Sequence, residues 1–179
     1  SGDKSKCADL TPTGYSIKSF LCHSRGEGIA IIARNLMINH VNYTSTFNFD
    51  HTWFELVQTT ITLEQRSVHF FCLYRPPPSR KNKPTESLFL EQFLNLLEYG
   101  NSIGGILIIL GDFNVHCDSP KNPCTSQLLD SIHVFNLKQS VSQPTHKHGH
   151  ILDWILYRPD DNILQSSLVS HELSSDHLG

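Results

Sequence analysis

Two polar side chains follow the most apolar run in this 179-residue sequence. The five aliphatic residues Ile106–Leu110 are followed by Gly111, and then by Asp112 and Asn114 with one phenylalanine between them. Such a run predicts a strand that is buried on both faces, and ligands bind at the C-terminal ends of such strands in layered α/β folds. A carboxylate and a carboxamide could hold a water or a ligand there. Taken alone, an Asx-type turn explains the same two residues.

Three further polar groups accompany predicted strands or the end of the chain. Tyr74 ends a predicted strand in "YRPP", Asp153 lies within "LDWILY", and Asp176 and His177 form the end of "SSDHLG". An aspartate behind a histidine stabilises the imidazolium and fixes its orientation, which suits acid–base chemistry. Taken singly, Asp153 could instead cap a loop, and Tyr74 could be a core tyrosine.

The elements that must position these residues are predicted from hydrophobic periodicity and turn signals. Period-2 alternation predicts strands over 15–22, 28–34, 56–63, 68–74 and 152–157, besides the buried strand over 106–110. A wide apolar stripe predicts a helix capped by Thr85 and stopped at Gly100, and a shorter helix over 126–134 with Thr125 as its cap. Hairpins combined with two helices predict a single α/β domain, residues 1–179, with layers around two sheets.

Composition excludes several classes of protein. The net charge of −3 argues against binding of polyanions by bulk charge, so contact with nucleic acid requires a local patch. Five scattered cysteines without a C-x-x-C pair argue against a disulfide framework or zinc knuckle and favour a reducing compartment. The aliphatic run is too short to span a bilayer, so no membrane partner is expected. The histidines of "HKHGH" (146–150) are interpreted as a solvated turn, because no carboxylate is close in sequence.

Four motifs in a fixed order carry a family resemblance. "YRPP" (74–77), "GDFN" (111–114), "LDWI" (152–155) and "SDH" (175–177) together resemble the endonuclease/exonuclease/phosphatase superfamily, whose fold is DNase I-like. Within it, the chain is most similar to the apurinic-type endonuclease domain of non-LTR (LINE-type) retrotransposons, over residues 9 to 178. The resemblance implies an α/β fold, a layered sandwich of two mixed β-sheets flanked by helices and incomplete at both termini.

The resemblance also implies a catalytic role for each motif. Asp112 would orient or deprotonate the attacking water, and Asn114 would fix Asp112 or the scissile phosphate. His177 would stabilise charge on a phosphoryl oxygen, with Asp153 setting its tautomer. Tyr74 would donate a hydrogen bond to the phosphate. These types suit phosphoryl transfer, in which positioning and charge stabilisation carry most of the catalysis.

The implied cofactor is Mg²⁺, with Mn²⁺ as the alternative, and Asp176 would lie at the metal. The implied partner is DNA. The basic residues of the loop after Tyr74 could neutralise its phosphates, although a solvated loop explains them equally well; these residues are Arg75, Arg80, Lys81 and Lys83. The family implies a monomeric domain inside a larger polyprotein with a reverse transcriptase, acting on DNA in the nucleus.

Two positions of the family pattern have no match in this chain. The family carries an Asn on its first strand and a metal-binding Glu on its second, and both would precede Ser1. Glu55 and Glu64 lie in a hairpin that is not catalytic in the family, so neither replaces the Glu. The chain also ends two residues after His177. We therefore expect a partial domain whose isolated activity is weak or absent.

The motifs leave two other interpretations open. Inositol polyphosphate phosphatases, sphingomyelinases and RNA deadenylases share the "GDFN" and "SDH" chemistry, so those motifs do not choose the substrate. A non-catalytic remnant of a retrotransposon polyprotein is the other alternative.

Overall fold

The computed structural model describes residues 11–21, 28–62, 65–77, 86–170 and 176–177. Within these ranges the chain forms eight strands, two α-helices and two short 3-10 turns, the latter at Asn35–His40 and Pro159–Asp161. In chain order the strands and α-helices are β1 (Tyr15–Leu21), β2 (Gly28–Arg34), β3 (Val41–Thr44), β4 (Glu55–Thr62), β5 (Ser67–Tyr74), α1 (Glu86–Ser102), β6 (Ile106–Asp112), α2 (Pro123–Val134), β7 (Lys138–Gln139) and β8 (Asp153–Tyr157).

The strands form two sheets. The larger has the order β3-β4-β5-β6-β8-β7, in which only β5 and β6 are parallel, joined by a crossover that contains α1. The smaller is the antiparallel β1–β2 hairpin, and β2 contacts β4 and β5 of the larger sheet. The predicted α/β class with two layered sheets is confirmed. Among the described residues, only the larger sheet is mixed.

Strand β6 is buried on both faces, as its continuous apolar run predicts. Leu107 and Ile109 join the main core, which the strands form with α1 and α2. Ile106 and Ile108 point to the opposite face and form a smaller cluster with Val68 of β5. Because period-2 alternation sends successive side chains to opposite faces, an unbroken aliphatic run anchors β6 in both layers.

The helix boundaries differ from the sequence prediction. Helix α1 continues past Gly100 to Ser102, because Gly100 packs against the Leu107 side chain, which a Cβ would meet at 3.2 Å. Helix α2 begins at Pro123 with Asn122 as its cap, whose side chain accepts from the next backbone amides. The proposed cap Thr85 lies outside the described residues. Among the helices described, neither is long and apolar enough to cross a membrane.

Gly111 is the position where β6 requires a residue without a side chain. It pairs with Leu73 of β5 and has a φ of +141°. A Cβ at this position would lie 1.8 Å from the carbonyl oxygen of Leu73. Glycine adopts this backbone conformation without steric cost, whereas other residues do not. The close approach keeps Asp112 in register with its neighbours on both sides.

We expect Gly111→Ala to lower the free energy of unfolding by at least about 3 kcal/mol, because the methyl group collides with backbone atoms and the φ angle is strained. Gly104→Ala is the matched control, since Gly104 also has a positive φ of +69° but no atom within 4 Å of an added Cβ. It should cost only about 1 kcal/mol. Urea unfolding monitored by tryptophan fluorescence measures both, and equal losses would contradict the steric explanation.

Candidate active site

Three of the predicted site residues lie in one row across the larger sheet. Tyr74 at the end of β5 pairs with Asp112 at the end of β6, and Asp112 pairs with Asp153 at the start of β8. The parallel β5–β6 pair and the antiparallel β6–β8 pair therefore bring three residues that are far apart in sequence to one edge of the sheet. Strand register alone places a phenol and two carboxylates side by side.

Asn114 holds the carboxylate of Asp112 in place. Its backbone N–H donates to Oδ1 of Asp112 at 2.9 Å, and its side-chain Nδ2 donates to Oδ2 at 2.9 Å. The same Nδ2 donates to the carbonyl of Arg75 at 2.7 Å, which fixes the orientation of the carboxamide. Asn114 has a φ of +47°, which asparagine tolerates better than most residues. The Asx-type turn considered for this pair is thus present, and it also orients Asp112.

His177 lies between the two aspartates. Its Nδ1 is 2.9 Å from Oδ2 of Asp153, and its Nε2 is 3.8 Å from Oδ2 of Asp112. Because an ionised carboxylate can only accept, Nδ1 donates to Asp153. A β-bridge between His146 and His177 connects this part of the chain to the loop before β8. The imidazole thus lies between the carboxylates of Asp153 and Asp112.

Burial, hydrogen bonds and neighbouring charges shift the pKa values of His177 and Asp112. Burial lowers the pKa of His177, but the hydrogen bond and charge of Asp153, with the charges of Asp112 and Asp176, outweigh it, so the net pKa is raised. Burial raises the pKa of Asp112; the hydrogen bonds from Asn114 oppose this, and the charge of Asp153 adds to it. The arrangement favours an imidazolium beside a carboxylate that binds protons more readily than usual.

When the imidazole of His177 is neutral, the same three residues are suited to a divalent ion. One ligand atom from each of Asp112, Asp153 and His177 lies within 4.8 Å of the others. Their side chains are 16%, 33% and 35% exposed, respectively, so an ion could reach them from solvent. Each carboxylate oxygen can accept more than one contact, so the bonds from Asn114 leave capacity on Asp112. With Nδ1 of His177 directed at Asp153, the available donors are mainly oxygens, which suit Mg²⁺ or Mn²⁺.

Arg75 is one of four basic residues for which the sequence left open either phosphate contact or a solvated loop, and it is buried instead. Arg75 is only 3% exposed, and its guanidinium stacks 4.3 Å from the ring centre of Phe89 on α1. Its Nη1 lies 3.5 Å from the carbonyl oxygens of Phe113 and Asn114, so it contacts the loop after β6 from the buried side of that loop. The other three, Arg80, Lys81 and Lys83, lie outside the described residues.

The neighbourhood of Asp176 includes cationic and titratable partners. Its Oδ2 lies 4.0 Å from both Nε2 of His146 and Nζ of Lys147. Its carbonyl accepts a hydrogen bond from the backbone N–H of Lys147. The side chain is 57% exposed. A role of Asp176 at a metal stays a prediction, whereas the compact ligand group contains Asp153 instead.

The predicted turn at "HKHGH" is confirmed, since the N–H of Gly149 donates to the carbonyl of His146 and residues 147–149 are exposed. The expectation that no carboxylate lies near these histidines was wrong. Asp176 approaches His146, and Nδ1 of His150 lies 3.2 Å from Oδ2 of Asp118. Asp118 is 32 positions before His150, so no local pattern could reveal the contact.

Thr145 is a positioning residue that sequence reasoning missed. It is 3% exposed, and its Oγ1 accepts hydrogen bonds from the backbone amides of Leu152 and Asp153 at 3.0 and 3.1 Å. The hydroxyl therefore holds the first residue of β8, which carries the carboxylate that binds His177. The only sequence signal was its place in "PTHKHGH", directly before the histidines.

Three solved structures similar to this one are distant in sequence. The endonuclease domain of TRAS1, a telomere-specific non-LTR retrotransposon, has a TM-score of 0.65 and 19% identity, covering 92% of this chain and 76% of that one. The 3′ phosphatase NExo from Neisseria, bound to product DNA hairpin, has a TM-score of 0.63 and 17% identity, covering 92% and 77%. An endonuclease/exonuclease/phosphatase family protein from Leptotrichia buccalis has a TM-score of 0.62 and 17% identity, covering 97% and 73%. At these identities the likeness shows a shared fold.

A comparison of sequences gives the family directly. No curated protein matches the sequence. The profile of the Endonuclease/Exonuclease/phosphatase family, however, matches residues 6–177 and so includes all four motifs. This chain therefore belongs to the Endonuclease/Exonuclease/phosphatase family.

Proposed function

We propose that this chain is a metal-dependent phosphodiesterase, and specifically a DNA endonuclease that nicks target DNA for non-LTR retrotransposition. The observation that carries the proposal is the row of Tyr74, Asp112 and Asp153 with His177 held against both aspartates. A base, an acid and a phenol lie together at one partly exposed sheet edge. Phosphodiester hydrolysis needs such groups, because the attacking water must be deprotonated and the charge on the leaving oxygen must be stabilised.

Asp112 is the residue proposed to act on the water. Its two oxygens accept from Asn114, and the backbone N–H of Arg75 donates to its carbonyl oxygen at 2.8 Å, so the carboxylate has little freedom to turn away. Its raised pKa makes it a better proton acceptor than a solvated aspartate. A positioned base of this kind contributes about 10²–10⁴-fold to the rate.

His177 is proposed to stabilise negative charge on the phosphoryl group. With its Nδ1 proton donated to Asp153, the imidazolium presents its Nε2 proton toward the side of Asp112, where the phosphate would lie. Asp153 acts through His177 as a positioning residue, in the manner of the aspartate in a catalytic triad. Tyr74, next to Asp112 in the row, would donate its hydroxyl to a non-bridging oxygen.

Mg²⁺ is the proposed cofactor and Mn²⁺ the alternative, with Asp176 as the ligand that the motif resemblance assigns to the metal. When bound, such an ion polarises a phosphoryl oxygen as a Lewis acid. Because the side chain of Asp176 is 57% exposed, we expect weak metal affinity and a rate that rises with metal concentration well into the millimolar range.

The DNA substrate is proposed from the motif resemblance and is supported by a fold shared with the TRAS1 endonuclease domain. With a net charge of −3, phosphate contacts depend on local cations, for which we propose Arg80, Lys81 and Lys83. Arg75 is excluded from this set because its guanidinium is buried under the site. In this proposal the chain acts in the nucleus as a monomeric domain of a polyprotein that also carries a reverse transcriptase.

Hydrolysis of another phosphoester is the second candidate function. The fold is shared with a 3′ phosphatase bound to product DNA hairpin, so the same architecture also serves phosphomonoesters. An inositol phosphate or an RNA substrate would use the same aspartates and histidine. A non-catalytic remnant is the third candidate. The intact row of site residues in this chain argues against it.

Nicking of supercoiled plasmid with Mg²⁺ tests the proposal. We expect slow nicking by the 179-residue chain and a loss of about 10²–10⁴-fold in Asp112→Ala, because the proton acceptor is removed. Asp130→Ala, at an exposed position of α2, is the matched control and should nick at the wild-type rate. Phosphate release from an inositol phosphate without nicking would favour the second function, and no cleavage of either substrate would count against catalysis by this 179-residue chain.

Asp153→Asn should lower the pKa of His177, because the amide removes the charge and the strong acceptor that raise it. The imidazolium would then be lost at lower pH, so the alkaline limb of the nicking rate against pH should move to lower pH. A ¹H–¹³C NMR titration of the His177 ring measures the pKa shift independently of activity. Asp130→Asn should leave both curves in place, and an unmoved His177 titration in Asp153→Asn would refute the proposed pairing.

Lys81→Gln should weaken DNA binding uniformly across sequences and reduce the slope of log K against log salt by about 0.9, the value for one phosphate contact. Arg66→Gln is the control, since Arg66 precedes β5 at the end opposite Tyr74. Fluorescence anisotropy with a labelled duplex at several salt concentrations measures both slopes. Equal slopes for the wild type and Lys81→Gln would remove Lys81 from the proposed contact set.

A further inference from the structure

A second group of metal-ligating side chains lies outside the row of site residues. It consists of His116 and Asp118, in the loop after β6, and His150, in the loop before β8. One ligand atom from each lies within 4.8 Å of the other two. None of the three has a place in the mechanism proposed above.

Backbone contacts hold the two loops together at this group. The N–H of Cys117 donates to the carbonyl of Ile151 at 3.0 Å, and the N–H of Ile151 donates to Oδ1 of Asp118 at 3.1 Å. The carbonyl of His116 accepts from the backbone of Ser119 at 3.0 Å, which closes the loop on itself. The backbone positions that carry the three side chains are thus fixed by the fold before any ligand arrives.

The side chains themselves face one another. Nδ1 of His150 is 3.2 Å from Oδ2 of Asp118, and the ring centres of His116 and His150 are 4.1 Å apart with their planes at 69°. A surface ion pair between Asp118 and His150 explains the first contact, but it gives no reason for a second imidazole beside them. Two imidazoles and one carboxylate that converge are the donor set of a transition-metal site.

We propose that His116, Asp118 and His150 form a Zn²⁺ site with three protein ligands and one position left for water. Zinc–ligand bonds of about 2.0 Å in tetrahedral geometry place the ligand atoms about 3.3 Å apart. The ligand atoms of His150 and Asp118 are 3.2 Å apart, and no separation in the group exceeds 4.8 Å, a gap that rotation of the exposed His116 side chain can close. Mg²⁺ is a poor competitor, because two of the three donors are imidazole nitrogens.

The proposed ion would connect the two loops that frame the candidate active site. One loop follows Asn114, and the other contains Thr145, whose hydroxyl holds the start of β8. Zinc would therefore tie the segment carrying Asp112 to the segment carrying Asp153. Thermal unfolding should then shift to higher temperature with Zn²⁺, since an ion that binds only the folded state stabilises it.

Isothermal titration of Zn²⁺ into the 179-residue chain tests the site. Because the carboxylates of Asp112 and Asp153 could also bind Zn²⁺, the titration uses the double variant Asp112→Asn/Asp153→Asn as the parent. We expect one equivalent to bind to the parent, and at least tenfold weaker binding after adding His116→Ala, His150→Ala or Asp118→Asn. His133→Ala, which removes an exposed histidine of α2, is the control and should retain the parent affinity.

Two further readouts keep the result independent of folding defects. In the wild-type chain, Zn²⁺ should shift the ring resonances of His116 and His150, and Co²⁺ bound in its place should give visible absorption that His116→Ala loses. Affinity within twofold of the parent in His116→Ala and His150→Ala would overturn the proposal. No saturable Zn²⁺ binding by the parent would do so as well.

Discussion

The register of three neighbouring strands is the constraint on which the candidate site depends. β5, β6 and β8 end or begin at the same edge of the larger sheet, and their pairing puts Tyr74, Asp112 and Asp153 in one row. Register is specified at Gly111, because a slip by one residue would place a side chain where a Cβ would lie 1.8 Å from the carbonyl oxygen of Leu73. Gly111 allows the close approach of β5 and β6 immediately before Asp112. The chemistry thus rests on packing in the centre of the sheet.

This register places two carboxylates next to each other, which is electrostatically unfavourable without a cation. His177 supplies that cation when its ring is protonated, since its two ring nitrogens face Asp153 and Asp112. Burial, with the charge of Asp153, raises the pKa of Asp112. Burial lowers the pKa of His177, but the hydrogen bond and charge of Asp153 outweigh it, so the net pKa is raised. Because the groups interact strongly, their titrations belong to the cluster rather than to single residues. A cluster that shares protons in this way, at a partly exposed edge, is suited to moving a proton during hydrolysis.

Local patterns in the sequence predicted the parts of the fold that depend on interactions between residues close in sequence. The apolar run of β6 and the alternation in β4 and β5 predicted those strands, and the motif order predicted which polar residues belong together. Gly100 and Thr125 were misassigned, because glycine and threonine have the same local signal whether they end a helix or pack against a distant residue. The short strands β3 and β7, of four and two residues, carry too few positions for a periodic signal.

The remaining features depend on contacts between distant parts of the chain. Arg75 belonged to a basic stretch in sequence, but in the fold its guanidinium lies under the loop after β6, over the ring of Phe89. Thr145 and the group of His116, Asp118 and His150 depend on the loop before β8 meeting the loop after β6. Neither has a sequence spacing that indicates its partner. Motif order indicated which candidate catalytic residues belong together, whereas the residues that hold them became visible only in three dimensions.

A double-mutant cycle on plasmid nicking tests the central claim most directly, namely that Asp153 and His177 act as one unit beside Asp112. The rates of wild type, Asp153→Asn, His177→Ala and the double variant are measured with saturating DNA and the same Mg²⁺ concentration. If Asp153 acts only through His177, the double variant nicks no more slowly than His177→Ala. Losses that multiply in the double variant would contradict the account, because they would mean that the two residues contribute independently.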